Sequence, residues 1–180
     1  MTTSELIQLS ATIVGIITSI TAVIISIVSL KQTQKSIEEA NRPYVVVYRD
    51  YIQVLGNVQE YFIIKNFGKT GAIIDSLDFD PVYKESIRGK DIFPNITSTF
   101  IAPGQSISTV VSHNAFQGER EGVIQVTVQY HSGKKHYSEV ITLNEDLIND
   151  LAFSKTNPSK NTTVQTIIAK ATQEILRRRL

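Results

Sequence analysis

Residues 6–30 read LIQLSATIVGIITSITAVIISIVSL and contain no charged side chain. As a helix, a stretch of this length extends roughly 37 Å, more than the hydrocarbon thickness of a bilayer, which is about 30 Å. A cleaved signal peptide would have a positively charged start and a shorter apolar stretch, whereas the first Lys or Arg in this chain is Lys31. A core helix of a soluble protein would present a charged face to water. The stretch therefore predicts a retained transmembrane helix, preceded by a short tail at residues 1–5.

Basic side chains flank this predicted span on one side. Lys31, Lys35 and Arg42 follow it, whereas Glu5 is the charged side chain that precedes it. Because Lys and Arg flanks remain on the cytoplasmic side, the pattern predicts a single-pass protein of the cell (inner) membrane with its N-terminus outside and its C-terminal bulk in the cytoplasm. The 180 residues include no cysteine, which agrees with a reducing compartment without requiring one.

Small side chains form a stripe along the span. They recur at spacings of three or four residues, which places them on one side of a helix. Small residues let membrane helices approach closely, so the stripe predicts helix packing in a homo-oligomer or against another membrane protein. The alternative is that alanine and serine are merely tolerated in an anchor. The predicted packing residues are Ala11, Gly15, Ser19, Ala22, Ser26 and Ser29.

Beyond the span, the pattern predicts a helical stalk and then a β domain. Gln, Lys, Glu and Ala favour helix over residues 31–42, and Pro43 ends it because proline cannot donate the next backbone hydrogen bond. From residue 43 to 143, β-branched and aromatic runs alternate with turn residues and no helical pattern intervenes. This predicts an all-β antiparallel, immunoglobulin-like sandwich, with a long irregular connection over residues 81–94. The predicted strands are residues 44–54, 58–66, 72–79, 107–112, 123–131 and 136–143.

The sequence of the C-terminal segment predicts an amphipathic helix. Residues 144–161 are expected to form a short helix and a polar linker, and residues 162–180 an amphipathic helix, with Thr162 and Gln165 as a capping box. The helix has three possible contacts: its own domain or a sister subunit, the groove of a partner, or an anionic membrane surface. The candidate contact residues are Ile167, Ile168, Ile175, Arg177, Arg178 and Arg179.

No constellation of residues predicts catalysis, a cofactor or a metal. Residues 68–70 read GKT like the end of a phosphate-binding loop, but Ile63 stands where that loop requires glycine. His131 and His136 flank a predicted hairpin turn. Without cysteine, and with Glu139 as the nearby carboxylate, they are expected to be solvated surface side chains. The formal net charge of +1 argues against nucleic acid as a ligand.

Three short segments resemble a loose group of small single-pass membrane proteins of bacteria and their phages. Residues 41–45 read NRPYV, residues 64–72 read IKNFGKTGA, and residues 102–105 read APGQ. In that group an Arg-Pro-Tyr segment precedes a sandwich-like domain with an Asn-x-Gly-x-x-x-Ala turn, and the resemblance covers residues 5–143. It implies an architecture and brings no catalytic residues, since a shared fold does not define a function.

Two classes of function follow from these observations. The favoured class is a membrane-anchored, non-enzymatic binding or scaffold module, an oligomeric or accessory subunit of a bacterial or phage membrane assembly. Its expected partners are the lipid bilayer and either a second copy or another membrane protein. The alternative is a membrane-bound enzyme or effector whose site forms only in three dimensions, for which the histidines, including His113, and residues 80–95 are the available material.

Overall fold

The computed structural model describes residues 2–54, 57–116, 122–152 and 163–177. They fall into two compact units that divide between Arg42 and Pro43. The first unit contains one helix, and the second contains strands and two shorter helices. In chain order the elements are α1 Thr3–Asn41, β1 Val45–Val54, β2 Asn57–Asn66, β3 Ala72–Asp80, β4 Phe100–Ile101, β5 Ser106–Ser112, β6 Val123–Ser132, β7 Lys135–Asn144, α2 Leu147–Asp150 and α3 Val164–Arg177.

Helix α1 is 39 residues long and contains the predicted span and stalk. Its length and hydropathy are sufficient to cross a membrane, and none of its residues is buried. Hydroxyl groups within the apolar part donate to the helix's own carbonyls, as from Thr18 to Val14 at 2.8 Å and from Thr21 to Ile17 at 2.9 Å. These internal bonds satisfy polar groups that lipid cannot. Arg42 is extended at the C-cap, as expected for a residue before proline.

The second unit contains two antiparallel sheets, in the strand orders β1-β2-β5 and β4-β3-β6-β7. The sequence prediction of an apolar N-terminal helix followed by an antiparallel β domain is therefore confirmed. The six predicted strands are present with ends shifted by at most one residue, and the two-residue strand β4 adds a seventh. The segment between β3 and β4 is irregular, as expected, apart from one isolated bridge between Lys84 and Asp91.

The inner faces of the two sheets share one hydrophobic core. In β2 and β6 buried positions alternate with more exposed ones, as in strands with one face turned to the core. Phe62 of β2 is fully buried, and its ring meets that of Phe79 edge-on at 5.6 Å. Tyr130 of β6 is also fully buried. The remaining fully buried aliphatic side chains of this core are Val45, Val47, Ile64, Ala72, Ile74, Ile101, Val111, Val126 and Val128.

A buried asparagine joins three parts of the domain at one end. The Asn66 Oδ1 accepts hydrogen bonds from the backbone N–H of Tyr44 at 3.1 Å and of Gly68 at 2.9 Å. Its Nδ2 donates to the carbonyl of Thr70 at 2.7 Å and to that of Ile101 at 3.2 Å. One fully buried side chain therefore fixes the start of β1, the turn after β2 and strand β4. These four bonds give the asparagine of the Asn-x-Gly-x-x-x-Ala pattern a physical reason.

The turn before β5 has the geometry that its sequence predicts. The backbone N–H of Gln105 donates to the carbonyl of Ala102 at 3.0 Å, and Gly104 has a positive φ of 74°. These are the features of a type II turn, whose third residue requires a positive φ. The side chain of Gln105 reinforces the turn, because its Oε1 accepts from the N–H of Ala102 at 2.8 Å.

Candidate functional site

The two histidines of the β6–β7 hairpin lie directly opposite each other. His131 of β6 pairs with His136 of β7 in the register of the sheet, and a two-residue turn with Gly133 at a φ of 61° joins the strands. Side chains of paired residues point to the same face, so the imidazole centroids are 5.3 Å apart. The pair belongs to the outer face of the four-stranded sheet, because the neighbouring Tyr130 points into the core.

A β-bulge brings a carboxylate to this pair. Strand β3 pairs Ile74 with Tyr130 but Ser76 with Gln129, so Asp75 is the extra residue. The bulge changes the phase of the strand: Ile74 is buried before it, and Leu77 packs against the core after it. A bulge re-aims the side chain it carries, and this one directs Asp75 toward both histidines.

The three side chains form a close cluster at the protein surface. Nδ1 of His131 is 2.6 Å from Oδ1 of Asp75, and Nδ1 of His136 is 3.4 Å from Oδ2. The side chains of His131, Asp75 and His136 are 27%, 33% and 72% exposed, respectively. One ligand atom from each residue lies within 4.8 Å of the others. Two imidazoles and one carboxylate are a donor set that zinc and other divalent transition metals use in proteins.

The surroundings of Asp75 lower the pKa of its carboxyl group. Partial desolvation raises the pKa of Asp75, but hydrogen bonds from His131 and His136, together with their positive charge when protonated, outweigh it and lower the pKa below 3.8. Asp75 is therefore a carboxylate at neutral pH. An ionised carboxylate is the form of Asp75 that can bind a cation.

The backbone beneath the cluster is held by an aromatic pair on the opposite face. Tyr130 pairs with Tyr137, and their rings stack at 5.4 Å with an angle of 21° between planes. The hydroxyl of Tyr130 lies 3.2 Å from Oε1 of Glu139 and 3.3 Å from the carbonyl oxygen of Pro43, and it can donate to either. Glu139 is thus engaged beneath the sheet. It is the carboxylate that lies near the histidines in the sequence, but its odd spacing from His136 places it on the other face.

A second polar cluster lies inside the domain. Arg49 of β1 forms ion pairs with Glu60 of β2, at 3.2 Å, and with Glu145 after β7, and these side chains are 6%, 0% and 5% exposed. The guanidinium carbon of Arg49 also lies 5.0 Å from the ring centroid of Phe62. A buried cation between two carboxylates joins three segments of the chain. The three charged groups are buried and pair with one another, so we interpret them as a structural ion cluster.

Two clefts flank the irregular connection between β3 and β4. One has a volume of about 330 Å³ and is lined by residues including Asp78, Tyr83 and Phe93. The other has a volume of about 280 Å³ and includes Glu85 and Arg88, which pair at 2.8 Å. Neither cleft contains a histidine. The three-residue cluster on the outer sheet face is therefore the better candidate for chemistry.

The chain matches the family model described as Domain of unknown function (DUF8453) over residues 7–149. It belongs to this family. No curated protein and no solved structure matches the chain. The DUF8453 match begins within α1 and ends within α2, so most of the apolar helix and all seven strands of the described residues fall inside it.

Some of the contact residues predicted from the sequence lie within the DUF8453 match, and the others lie after it. The small residues of α1, Ala11, Gly15, Ser19, Ala22, Ser26 and Ser29, lie within it and are all exposed on the helix. Ile167, Ile168 and Ile175 are exposed on α3, which lies after the match. Arg177 is the last residue of α3, and Arg178 and Arg179 lie outside the described residues.

The sequence pattern placed His131 and His136 on either side of a predicted hairpin turn and did not indicate Asp75 as their partner. The contact joins residues 56 positions apart and depends on a bulge in β3. One signal was available. Apolar residues occupy positions 72 and 74 and then positions 77 and 79, so the alternation changes phase between Asp75 and Ser76.

Proposed function

We propose that this DUF8453 chain is a membrane-anchored, non-enzymatic binding or scaffold module. It acts as an oligomeric or accessory subunit of a bacterial or phage membrane assembly. In this proposal α1 crosses the inner membrane with the N-terminus outside, and the β domain faces the cytoplasm. The observation that carries the proposal is the long apolar helix α1, which is followed by a domain whose interior is packed with side chains.

Two features of α1 support anchoring. Its apolar side chains are exposed from Leu6, at 52%, to Leu30, at 69%, and this surface would be costly to leave in water. Its serine and threonine hydroxyls bond within the helix, which suits a lipid environment. The basic residues Lys31, Lys35 and Arg42 follow the apolar part, and they support a cytoplasmic location for the second unit.

The strand order supports an immunoglobulin-like domain as the binding element. The first sheet contains the consecutive strands β1 and β2 together with β5. The second sheet contains β3 and β4, which lie between β2 and β5 in the chain, together with β6 and β7. This division resembles the sheet exchange of immunoglobulin-type sandwiches. Because side chains fill the core, a partner would bind the loops, the outer sheet faces or the edge strands. Strand β7 is an edge of ten residues, to which an extended segment of a partner can add.

The small-residue stripe and α3 supply two further contact surfaces in this proposal. Gly15 has open space around it, since a Cβ built there meets nothing within 4 Å. A second helix can therefore approach α1 closely at this position. Helix α3 exposes the apolar side chains of Val164, Ile167, Ile168 and Ile175. In this proposal α3 is an amphipathic helix whose apolar face binds a partner or the membrane surface.

The second candidate function is a membrane-bound enzyme or effector, and the cluster of Asp75, His131 and His136 is the observation that favours it. The same trio of donor types occurs at catalytic metal centres. The cluster nonetheless sits on an outer sheet face rather than in either of the described clefts. This position favours the binding module, because catalytic sites are usually concave.

Affinity purification of the tagged full-length chain from its native membrane in mild detergent tests the proposal. Mass spectrometry and particle sizing should find either a membrane protein in fixed ratio or a defined homo-oligomer. A parallel purification of a chain lacking residues 162–180 should retain a folded β domain and lose that contact if α3 makes it. Recovery of the full-length chain as a monomer without a stoichiometric partner would contradict a binding or scaffold role.

A further inference from the structure

The donor chemistry of the outer-face cluster selects one class of ligand. Imidazole nitrogens suit Zn²⁺ and other divalent transition metals, whereas Mg²⁺ and Ca²⁺ prefer sites built from oxygen atoms alone. Asp75, His131 and His136 offer two nitrogens and one carboxylate, each from a different strand of the same sheet. The chain contains no cysteine that could compete for the same metal.

The distances are close to those of a metal centre. In a tetrahedral centre whose donor atoms lie about 2.1 Å from Zn²⁺, the donor atoms lie about 3.4 Å from one another. The three donors of the cluster lie within 4.8 Å of one another, so a movement of about 1 Å or less per side chain brings them to coordination distance. His136 is 72% exposed and has room to make most of that movement.

The backbone that carries the ligands is fixed in advance. His131 and His136 are locked opposite each other by the hairpin register, with stacked Tyr130 and Tyr137 next to them on the inner face. Asp75 is held on the bulge by the pairs of Ile74 and Ser76 on either side. Ligands on paired strands keep their spacing better than ligands on loops, which reduces the entropy lost when a metal binds.

We propose that Asp75, His131 and His136 form a binding site for one divalent transition metal ion of the Zn²⁺ class. Three protein ligands leave a fourth position of a tetrahedral centre facing solvent, available to water or to a donor group from another molecule. The bound ion links the β3 bulge to the β6–β7 hairpin. This property goes beyond the binding-module function and does not depend on the anchor.

The chain contains its own matched control for a test by metal titration. It has three histidines, and the third, His113, is exposed and lies outside the cluster. Full-length protein in detergent, without an oligohistidine tag, is titrated with Zn²⁺ by calorimetry. We expect one ion per chain, an affinity at least tenfold weaker in Asp75→Asn, His131→Gln and His136→Gln, and no change in His113→Gln. Equal weakening in the His113 variant, or an unchanged affinity in His131→Gln, would overturn the proposal.

A second measurement needs no substitution and remains decisive if a variant fails to fold. Nitrogen-15 spectra of the histidine side chains of the wild-type protein report directly on metal ligation. Adding one equivalent of Zn²⁺ should shift the ring nitrogens of two histidines and leave the third unchanged, with His113→Gln assigning the unshifted signal. Spectra that do not respond to Zn²⁺, or a response from all three histidines together, would show that the cluster is not a metal site.

Discussion

Replacing Asn66 tests whether one buried amide holds the end of the β domain together. In Asn66→Ala, the N–H groups of Tyr44 and Gly68 lose their acceptor, and the carbonyls of Thr70 and Ile101 lose their donor. These four backbone groups belong to three separate segments. The change therefore acts on the junction between β1, the turn after β2 and strand β4, rather than on one element.

The expected loss follows from the number and burial of these bonds. A hydrogen bond within a protein contributes about 1 kcal/mol net, and a buried polar group left without a partner costs about 1–3 kcal/mol. The bond to Ile101 is buried, whereas the other three are partly buried and their backbone groups can regain water. We expect the free energy of unfolding to fall by about 3–4 kcal/mol. For a domain of this size, that lowers Tm by about 10–15 °C.

Thermal unfolding of the full-length protein in detergent, followed by the β-sheet circular dichroism signal, measures this loss. Asn57→Ala is the matched control, because Asn57 is an exposed asparagine at the start of the same strand, and its Tm should stay within about 2 °C of wild type. Asn66→Leu separates hydrogen bonding from volume. It keeps the branched shape of the side chain, in a slightly larger volume, without its hydrogen-bonding groups, and should be at least as destabilising as Asn66→Ala.

Two results would refute this reasoning. A Tm drop below about 3 °C in Asn66→Ala would mean that the four bonds contribute little to stability. A wild-type Tm in Asn66→Leu would mean that the position requires volume rather than an amide. In either case the hydrogen bonds of Asn66 would no longer explain the asparagine of the Asn-x-Gly-x-x-x-Ala pattern.

Three further substitutions test other parts of the chain. Arg49→Met should lower the free energy of unfolding by about 3–5 kcal/mol in chemical denaturation, because it leaves two buried carboxylates without their cation. Gly71→Ala should cost about 1 kcal/mol, since the new Cβ would lie 2.4 Å from the ring of Phe100, and a double-mutant cycle should abolish that cost in Phe100→Ala. Replacing Gly15 and Ser19 by Leu should lower the oligomer fraction in a membrane association assay, whereas unchanged association would argue against the small-residue stripe.

Local patterns in the sequence were sufficient to predict the main elements. The apolar helix needs only an uninterrupted uncharged run, and the alternating strands need only a period of two, so both are visible without tertiary structure. Strand β4 was not predicted as a strand because two residues are too short to show a period. Its position depends instead on pairing with Ala72 and Ile73.

The polar clusters were not predicted because they depend on contacts between distant segments. Glu60 has the phase of a core residue between Val58 and Phe62, yet a carboxylate is expected at the surface until its partner Arg49 is known. Asp75 lies on a bulge of β3, and its histidine partners belong to two other strands. In both cases the pattern gives the strand, and only the pairing of strands shows which charged groups meet.

Protease protection on sealed membrane vesicles tests the claim of a membrane-anchored module most directly. One sample of vesicles that contain the full-length chain is washed at alkaline pH and sedimented, and a separate, sealed sample is treated with protease. We predict that the chain stays in the membrane pellet, and that its β domain is digested in inverted vesicles and protected in right-side-out vesicles. Release of the intact chain into the alkaline supernatant would contradict the anchor. Digestion in right-side-out vesicles would contradict the cytoplasmic location of the domain.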